Sequence, residues 1–437
     1  MTDGAAQYVH GIRANLGQFS QQLLQVFFVG LTIGLQRNVM PALAEQEFGV
    51  PAGSFALLTA FIVSFGFVKG SLNFVAGRLS DRIGRRRILL WGWIAALPIP
   101  FIILYAPSWN WIVAANVLLG VNQGFAWSMT VTAKLDITNA NERGLATGFN
   151  EFAGYSGVAV AGIVTGYLAT DFDPRWSLFT FGLTVAIVAL IVAYLFVEET
   201  LPWAHAEAAK RAGGGETGTA HGRLPEGFPD KPTTRQIFAL VSFRHRTFSA
   251  LSQAGCVEKF VDALVWAFFP VYLIERGLTV IEIGWVIGAY GLVWGGSQLW
   301  TGPLSDRIGR KIPIVAGMWI CGGGIAAMLF GDTMVHWTVA AAVSGLGMAL
   351  LYPTLIAAVG DISHPNWRGS SLGVYRFWRD IGYGIGALLI GFIANATSGV
   401  EAGFWFTAVA MGISGLWVLV VAEETLPRLA TRLHKRV

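Results

Sequence analysis

Long apolar runs, broken by short polar or Gly- and Pro-containing stretches, recur along the chain from residue 18 to residue 422. A bilayer core about 30 Å thick requires about 20 apolar residues for one spanning helix. Runs of about that length predict twelve transmembrane helices, here called segments 1 to 12. Their predicted bounds are 18–44, 53–78, 87–105, 109–138, 143–170, 176–197, 246–275, 279–303, 312–330, 334–361, 368–395 and 401–422.

One long polar stretch interrupts this pattern between segments 6 and 7, and it contains "RAGGGETGTAHGRLPEGFPDKP". Its Gly, Pro and charged residues offer too little apolar surface for a core, so we expect a flexible linker with at most an interfacial helix. The chain then divides into an N-terminal six-helix bundle (1–197), a cytoplasmic linker (198–245), a C-terminal six-helix bundle (246–422) and a basic cytoplasmic tail (423–437). The predicted fold class is an all-α membrane protein.

Composition agrees with the pattern: 54% of the 437 residues are hydrophobic and 13% are charged, which excludes a soluble globular protein. If the N-terminus lies inside, the stretches rich in Lys and Arg all face the cytoplasm, as the positive-inside rule requires. The net charge of +4 then follows from membrane topology and implies no nucleic-acid partner. We expect a multi-pass protein of the inner membrane of a bacterium, with both termini inside.

The chain repeats itself at an interval of 225 residues. "GRLSDRIGRR" at Gly77 falls on "GPLSDRIGRK" at Gly302, "VEETLP" falls on "AEETLP", and Arg143 falls on Arg368 without a gap. Matches this regular predict two six-helix halves in the same orientation, related by an axis along the membrane normal.

The repeated loop, G-x-x-x-D-R-x-G-R-R, resembles the signature loop of the major facilitator superfamily, and the resemblance covers the whole chain. In that family the loop is a cytoplasmic latch between the halves. Glycine permits close helix approach, and an Asp at a helix end can accept hydrogen bonds from Arg or from the N-terminus of a facing helix. The resemblance assigns the latch to Gly77, Asp81, Arg85, Gly302, Asp306 and Arg310, with Asp136 and Asp361 as the expected partners of the two arginines.

Charged residues inside the predicted segments are the candidates for solute chemistry, because each is costly in a bilayer unless it is paired or faces water. The candidate substrate-binding residues are Arg37, Lys69, Gln123, Lys134, Arg376 and Arg379. The candidate proton-coupling residues are Asp262 first, then Glu258 and Glu151. The alternative is pairing along one helix face, between Lys259 and Asp262 (i,i+3) or between Arg376 and Asp380 (i,i+4).

The 225-residue shift also places opposite charges at equivalent positions: Arg37 falls on Asp262, and Glu151 falls on Arg376. Segments 1 and 7 face each other across a central cavity in the family that the loop resembles. We therefore expect Arg37 and Asp262 to approach each other across that cavity, as a pair that substrate or a proton can break.

The first two segments are similar to one branch of the family, the organophosphate:phosphate antiporters. The stretches "LQRNVMPALAEQEFGV" and "FGFVKGSLNFVAGRLSDR" carry the resemblance, which implies that Arg37 and Lys69 bind an anion; "NQGFAW", which contains Gln123, adds support. At the position where that branch has a second phosphate-binding Arg, this chain has Asp262. The sequence therefore favours anion binding over phosphate exchange.

Three other functions remain to be compared with this one. A drug:proton antiporter of the same fold would have a Gly-Pro signature in segment 5, and "FNEFAGYSGVAVAG" contains no Pro. A non-transporting sensor on this fold would be expected to carry an added signalling domain. An enzyme would need a nucleophile with its base or a metal set, and no such spacing is present.

We therefore expect a secondary active transporter that works by alternating access and couples a small anionic or zwitterionic organic solute to protons or to a counter-solute. It is expected to be a monomer in the lipid bilayer, without a cofactor or a metal ion.

Overall fold

The computed structural model describes residues 8–48, 55–212, 228–229, 231–397 and 399–434. Within these ranges it describes the backbone but not the side chains of residues 36–46, 55–62, 169–171, 280 and 432–434. The described part of the chain is helical and contains no strand.

The twelve predicted segments are all helical. Their bounds are Leu16–Phe48 (segment 1), Phe55–Ile83 (segment 2), Arg85–Ala96 and Pro98–Tyr105 (segment 3), Trp109–Asn122, Gln123–Trp127 and Ser128–Ile137 (segment 4), Arg143–Asp171 (segment 5), Pro174–Phe196 (segment 6), Arg246–Ala263, Leu264–Phe268 and Phe269–Glu275 (segment 7), Val280–Ile308 (segment 8), Lys311–Ala327 and Met328–Phe330 (segment 9), Met334–Ile362 (segment 10), Arg368–Thr397 (segment 11) and Glu401–Val421 (segment 12).

Shorter helices lie outside the segments. They are Ala140–Glu142, Leu201–Ala212, Thr234–Ala239, Leu240–Arg244, Pro365–Trp367 and Pro427–His434. The helix Leu201–Ala212, here called the linker helix, buries Ala204, Ala206 and Ala208. This part of the linker is packed against the protein, whereas the sequence analysis expected flexibility and at most an interfacial helix.

Seven helical stretches in the described ranges are long and apolar enough on their own to cross a membrane. They correspond to segments 3, 4, 6, 9, 10, 11 and 12. Segments 1, 2, 5, 7 and 8 fall outside this set. Segment 7 illustrates the reason, because it carries Glu258, Lys259 and Asp262 within five consecutive positions.

The two halves meet along two symmetry-related seams, segment 2 against segment 11 and segment 5 against segment 8. At one seam a Cβ atom on Gly77 would overlap the carbonyl oxygen of Gly369; at the other, a Cβ on Gly302 would overlap that of Gly144. Only glycine allows backbones this close. We call this end of the bundle, which holds both repeated loops, the inner face; it is closed.

Toward the opposite end, the seam between segments 5 and 8 opens. On segment 8, Gly295 still lies near Tyr155 of segment 5, since an added Cβ would be 3.8 Å from the Cβ of Tyr155. Gly291, Gly288 and Gly284 continue the same helical face, and a Cβ added there would meet no described atom within 4 Å. The structure is therefore closed at the inner face and, along the seam between segments 5 and 8, open toward the outer face. The seam between segments 2 and 11 stays close at the equivalent position, since a Cβ on Gly66 would lie 2.9 Å from the carbonyl oxygen of Asp380.

The glycine contact at the inner face yields a test. Gly302→Ala should reduce the population of the inner-closed conformation, because the added methyl group overlaps a backbone oxygen that cannot rotate away. The distance between spin labels at Arg87→Cys and Ile312→Cys, two exposed and symmetry-related positions, measures this population. The half-buried native thiol of Cys256 would also react with the label, so it is removed by Cys256→Ser. Cys321 is buried and can be retained.

Gly288→Ala is the matched control on the same helix, since its Cβ meets no described atom. It should leave the distance distribution unchanged and stabilise the helix by up to about 1 kcal/mol. Identical distributions for Gly302→Ala and the parent protein would contradict the close-contact interpretation.

Candidate functional site

At the inner face, the Asp of each repeated loop binds the first turn of a helix in the other half. The carboxylate of Asp81 accepts hydrogen bonds from the backbone N–H groups of Gly369 (3.1 Å) and Ser370 (2.7 Å), at the start of segment 11. Asp306 accepts the equivalent bonds from Gly144 (2.9 Å) and Leu145 (2.7 Å), at the start of segment 5. Both carboxylates therefore stabilise the positive end of a helix dipole across the boundary between the halves.

Each of the two buried aspartates beneath the loops binds one arginine from each half. Asp136 lies 3.0 Å from Arg85 of its own half and 3.0 Å from Arg368 of the other half. The structure thus pairs Arg85 with Asp136, as the sequence analysis expected, and adds a cross-half partner.

The C-terminal half repeats this arrangement around Asp361. Arg310 of the same half lies 2.9 Å from it, and Arg143 of the other half lies 3.1 Å away. These roles of Arg143 and Arg368 were not predicted from the sequence, although the match of the two residues across the 225-residue repeat was the available signal.

Two further carboxylates escaped the sequence analysis. Glu199 accepts a hydrogen bond from the backbone N–H of Arg85 (2.8 Å), and Glu424 accepts one from that of Arg310 (2.8 Å). They cap segments 3 and 9, just after Gly84 and Gly309, which have φ angles of 101° and 102°. The repeated "EETLP" motif is the signal that could have located them.

Deeper in the bundle, a polar network joins segments 2, 4 and 11. The ammonium group of Lys69 lies 3.8 Å from the carboxylate of Asp380, and Asn73 donates to the same oxygen at 2.5 Å. Asn73 in turn accepts a hydrogen bond from Ser128 (2.5 Å). The second oxygen of Asp380 accepts from Nε of Arg379 at 2.9 Å.

This network corrects one alternative from the sequence analysis. The i,i+4 spacing allows Arg376 to pair with Asp380, but no such ion pair forms. The carboxylate of Asp380 is already occupied by Arg379, its neighbour in the chain, and by Lys69 and Asn73 of the other half.

Segment 7 carries a second charged group, in which Lys259 and Asp262 pair on one helix face. Their side chains are 2.6 Å apart, and the other oxygen of Asp262 accepts a hydrogen bond from the hydroxyl of Tyr290 (3.1 Å). Lys259 also lies over the ring of Tyr352, 4.3 Å from its centroid. The side chain of Arg37 lies outside the described residues, so its expected approach to Asp262 stays a prediction.

Several buried nitrogen and oxygen atoms of charged side chains near these networks have no hydrogen-bond partner among the described residues. They include all three guanidinium nitrogens of Arg376, both terminal nitrogens of Arg379 and both carboxylate oxygens of Glu258. Arg376 is 1% exposed, and Arg379 and Glu258 are fully buried. Among the described residues, the ion pair of Glu258 is a loose contact with Lys259, at 3.7 Å.

The remaining candidate residues, Lys134, Gln123 and Glu151, form hydrogen bonds within the N-terminal half. Lys134 donates to the carbonyl of Gln22 (2.9 Å), and Gln123 donates to that of Val29 (3.1 Å), both in segment 1. One oxygen of Glu151 accepts from the indole of Trp127 (3.1 Å). The structure thus places Lys134 and Gln123 at a helix contact, outside the network around Lys69 and Asp380.

Aromatic rings connect the two halves beside the charged networks. The ring centroids of Trp127 and Tyr155 are 5.8 Å apart, those of Tyr155 and Trp294 are 4.3 Å apart, and those of Trp294 and Tyr352 are 5.5 Å apart. Segments 4 and 7 each contain a π-helical turn in this region, Gln123–Trp127 and Leu264–Phe268. Such turns are frequent at functional sites.

Within the described ranges, no group of three or more His, Cys, Asp or Glu side chains is arranged to hold a metal ion. The site is instead composed of lysine, arginine, carboxylate and aromatic side chains. Side chains of these types can bind charged groups of a ligand by ion pairs and hydrogen bonds.

Comparison with known proteins identifies relatives along nearly the whole chain. The sequence model of the Major Facilitator Superfamily matches residues 23–257 and 251–435. An uncharacterized MFS-type transporter of Salmonella typhimurium is 22% identical over 382 residues, covering 84% of this chain and 87% of the relative. The proton-coupled antiporter flippase LtaA of Staphylococcus saprophyticus is 22% identical over 363 residues, covering 80% of this chain and 82% of the relative.

Solved structures share the fold at low sequence identity. The human organic anion transporter MFSD10 (TETRAN) is similar with a TM-score of 0.74 and 15% identity, over 92% of this chain and 99% of that protein. The proton:xylose symporter XylE is similar with a TM-score of 0.72 and 16% identity, over 94% of this chain and 97% of that protein.

The all-α membrane fold predicted from the apolar runs and the internal repeat is thereby confirmed. Members of the matched family are transporters and not enzymes. The chain belongs to the Major Facilitator Superfamily and is an integral membrane protein that acts as a secondary transporter.

Proposed function

We propose that this secondary transporter moves a small anionic or zwitterionic organic solute by alternating access and couples that movement to protons. The observation that carries the proposal is the guanidinium group of Arg376, which is buried and has no hydrogen-bond partner among the described residues. An unpaired charge in a membrane interior is costly, so the group is suited to bind an anion that arrives from outside the fold.

Arg379 provides a second set of donors close by. Its Nε is held by Asp380 at 2.9 Å, while its two terminal nitrogens have no partner in the described part of the chain. The bond to Asp380 fixes the plane of the guanidinium group. Two arginines with available N–H groups can recognise a carboxylate or phosphate through parallel hydrogen bonds, which an ammonium group cannot provide.

Lys69 connects this site to the movement of the halves. It belongs to segment 2, and the carboxylate that it contacts, Asp380, belongs to segment 11. A solute anion that competes with Asp380 for Lys69 would weaken one of the contacts between the halves. Substrate binding and opening of the bundle are therefore linked through this pair.

We propose Glu258 as the proton-coupling carboxyl group, ahead of Asp262. Protonation of Asp262 would remove the charge that pairs with Lys259 and weaken the hydrogen bond that it accepts from Tyr290. Glu258 can take up and release a proton without breaking a hydrogen bond to any described residue. Glu151, which has one oxygen without such a partner, remains a third candidate.

Two of the similar proteins are described as coupled to protons, which supports this part of the proposal, and the similar proteins differ in what they carry. LtaA is described as a proton-coupled antiporter flippase, XylE as a proton:xylose symporter and MFSD10 as an organic anion transporter. The multidrug transporter protein MdtP of Bacillus subtilis is 20% identical over 414 residues, covering 86% of this chain and 75% of the relative.

A multidrug exporter is the second candidate, and the aromatic bridge through Tyr155 and Trp294 is the observation in its favour. The guanidinium group of Arg376, which has no hydrogen-bond partner among the described residues, would repel a lipophilic cation. The charge of the site therefore favours the anionic or zwitterionic solute.

We further propose that the inner face lies in the cytoplasm of a bacterial cell, that both termini lie on that side and that the protein works as a monomer. The repeated loops, rich in arginine, lie on this face, as the positive-inside rule favours. The contacts of Asp81 and Asp306 with the facing helices then form the latch that holds the cytoplasmic side closed.

The first prediction concerns Arg376. Small organic acids, amino acids, sugar phosphates and lipophilic cations, screened by thermal shift on the purified protein, should include an acid or zwitterion that stabilises the parent protein. Arg376→Lys should weaken binding of that compound by at least about tenfold, because the ammonium loses the second parallel hydrogen bond. Arg244→Lys, at an exposed position, is the control. Equal shifts in Arg376→Lys and the parent, or stabilisation by lipophilic cations alone, would contradict the anion site.

The second prediction separates coupling from binding. In proteoliposomes loaded with the compound from that screen, Glu258→Gln should exchange solute across the membrane but fail to accumulate it in response to a pH gradient, since it removes the titrating group. Asp262→Asn is the comparison, and it should retain accumulation. If Asp262→Asn loses accumulation while Glu258→Gln keeps it, the proton site is Asp262.

The third prediction concerns the latch. Asp81→Asn retains the shape of the side chain but removes the charge that binds Arg85 and the start of segment 11. It should shift the spin-label distance between Arg87→Cys and Ile312→Cys toward longer values, with protein yield unchanged. An unaltered distance distribution and an unaltered transport rate would refute the latch role.

A further inference from the structure

The linker helix places one carboxylate between two symmetry-related arginines. Glu207 binds Arg143 of the N-terminal half through one oxygen (3.0 Å) and Arg368 of the C-terminal half through the other (2.5 Å). Arg143 and Arg368 occupy equivalent positions in the 225-residue repeat. One carboxylate of the linker helix thus bridges two equivalent arginines of the two halves, and the linker occurs only once in the repeat.

The linker helix is fastened to the N-terminal half near its beginning. The indole of Trp203 donates to the carbonyl of Val9 (3.2 Å), and its ring packs edge-on against Tyr8, with centroids 4.8 Å apart. A ring nitrogen of His10 lies 3.2 Å from the carbonyl oxygen of Trp203. Residues 8–10 precede segment 1, so this end of the linker helix moves with the N-terminal half.

The other end of the linker helix contacts the C-terminal half. Arg211 donates to the carbonyl of Ser363, at the end of segment 10, at 3.4 Å, and it also binds Glu207 one helical turn earlier. The helix therefore spans the boundary between the halves, with Glu207 at the crossing point.

Glu207 belongs to a cluster of ion-paired side chains at the inner face. The ion-paired arginines are Arg85, Arg143, Arg211, Arg310 and Arg368, and the ion-paired carboxylates are Asp81, Asp136, Glu207, Asp306 and Asp361. Burial alone would raise the pKa of Glu207, but the neighbouring Arg368, Arg143 and Arg211 hold this pKa well below its usual range. Glu207 is therefore ionised and acts as a counter-charge.

We infer that the linker helix is a clasp for the inner-closed conformation, and that Glu207 is the positioning residue that holds Arg143 and Arg368 together across the boundary. This inference rests on the alternating-access part of the proposed function, but not on the identity of the solute. When the inner face opens, the two arginines separate, and one carboxylate cannot bind both. Because Trp203 fastens the helix to the N-terminal half, the contacts that break are those of Glu207 with Arg368 and of Arg211 with Ser363.

The clasp differs from the paired loops in one physical respect. The loop contacts of Asp81 and Asp306 occur twice and stabilise the two seams separately. Glu207 occurs once and contacts both halves together. If the charge of Glu207 is removed, Arg143 and Arg368 lose a shared counter-charge. Their mutual repulsion then favours separation of the two halves.

The test uses spin labels at Arg87→Cys and Ile312→Cys in a Cys256→Ser background, in lipid and without added solute. Glu207→Gln retains the size of the side chain and removes the charge. It should raise the ratio of inner-open to inner-closed distances by at least about fivefold, the lower end of the usual coupling between sites. The matched control is Glu198→Gln, which makes the same change at an exposed carboxylate of the linker and should leave the ratio unchanged. Glu207→Asp retains the charge and should give a smaller change than Glu207→Gln.

Arg211→Gln is the second variant, since it loosens the same clasp without removing a carboxylate. It should shift the ratio in the same direction, and it decides the question if Glu207→Gln does not fold. A ratio equal to that of the parent in the folded Glu207→Gln protein, or an equal shift in Glu198→Gln, would overturn the inference. The readout needs no solute, so its failure is separable from a failure of the Arg376 site, which is measured by thermal shift.

Discussion

The arrangement of this protein depends on one constraint: an arginine or a carboxylate buried between helices needs an opposite charge, and here the partner comes from the other half of the chain. Asp136 binds Arg368, and Asp361 binds Arg143. A buried pair of this kind adds little net stability compared with apolar packing, but the loss of one partner is costly. The pairs therefore act mainly on the choice between conformations, and the glycine contacts of the two seams bring the partners into range.

The same constraint explains the difference between the inner face and the centre of the bundle. At the inner face, each of the buried arginines lies within 4 Å of a carboxylate; they are Arg85, Arg143, Arg310 and Arg368. At the centre, Arg376 and part of Arg379 are buried without hydrogen-bond partners in the described ranges. A fully paired cluster suits a contact that opens and closes with the halves, whereas an unpaired guanidinium suits a group that a solute must complete.

The sequence predicted those features that depend on local pattern. Apolar runs located the twelve helices, the repeat located Asp81 and Asp306, and the i,i+3 spacing indicated the contact between Lys259 and Asp262. Contacts that depend on packing between the halves were missed: Lys69 with Asp380, Arg143 with Asp361, and Glu207 between two arginines. The pairing of Arg376 with Asp380 was a reasonable helix-face alternative, yet residues from segment 2 occupy that carboxylate. A single sequence contains no measure of which faces of distant helices meet.

The most direct test of the central claim is a double-mutant cycle on Arg143 and Asp361, read out as the population of the inner-closed conformation. If the cross-half pair sets that population, Arg143→Gln and Asp361→Asn should each lower it, and the double variant should lower it no further than the more severe single variant, because the interaction is already lost. Effects that simply add in the double variant would show that the two residues act independently and would contradict this account.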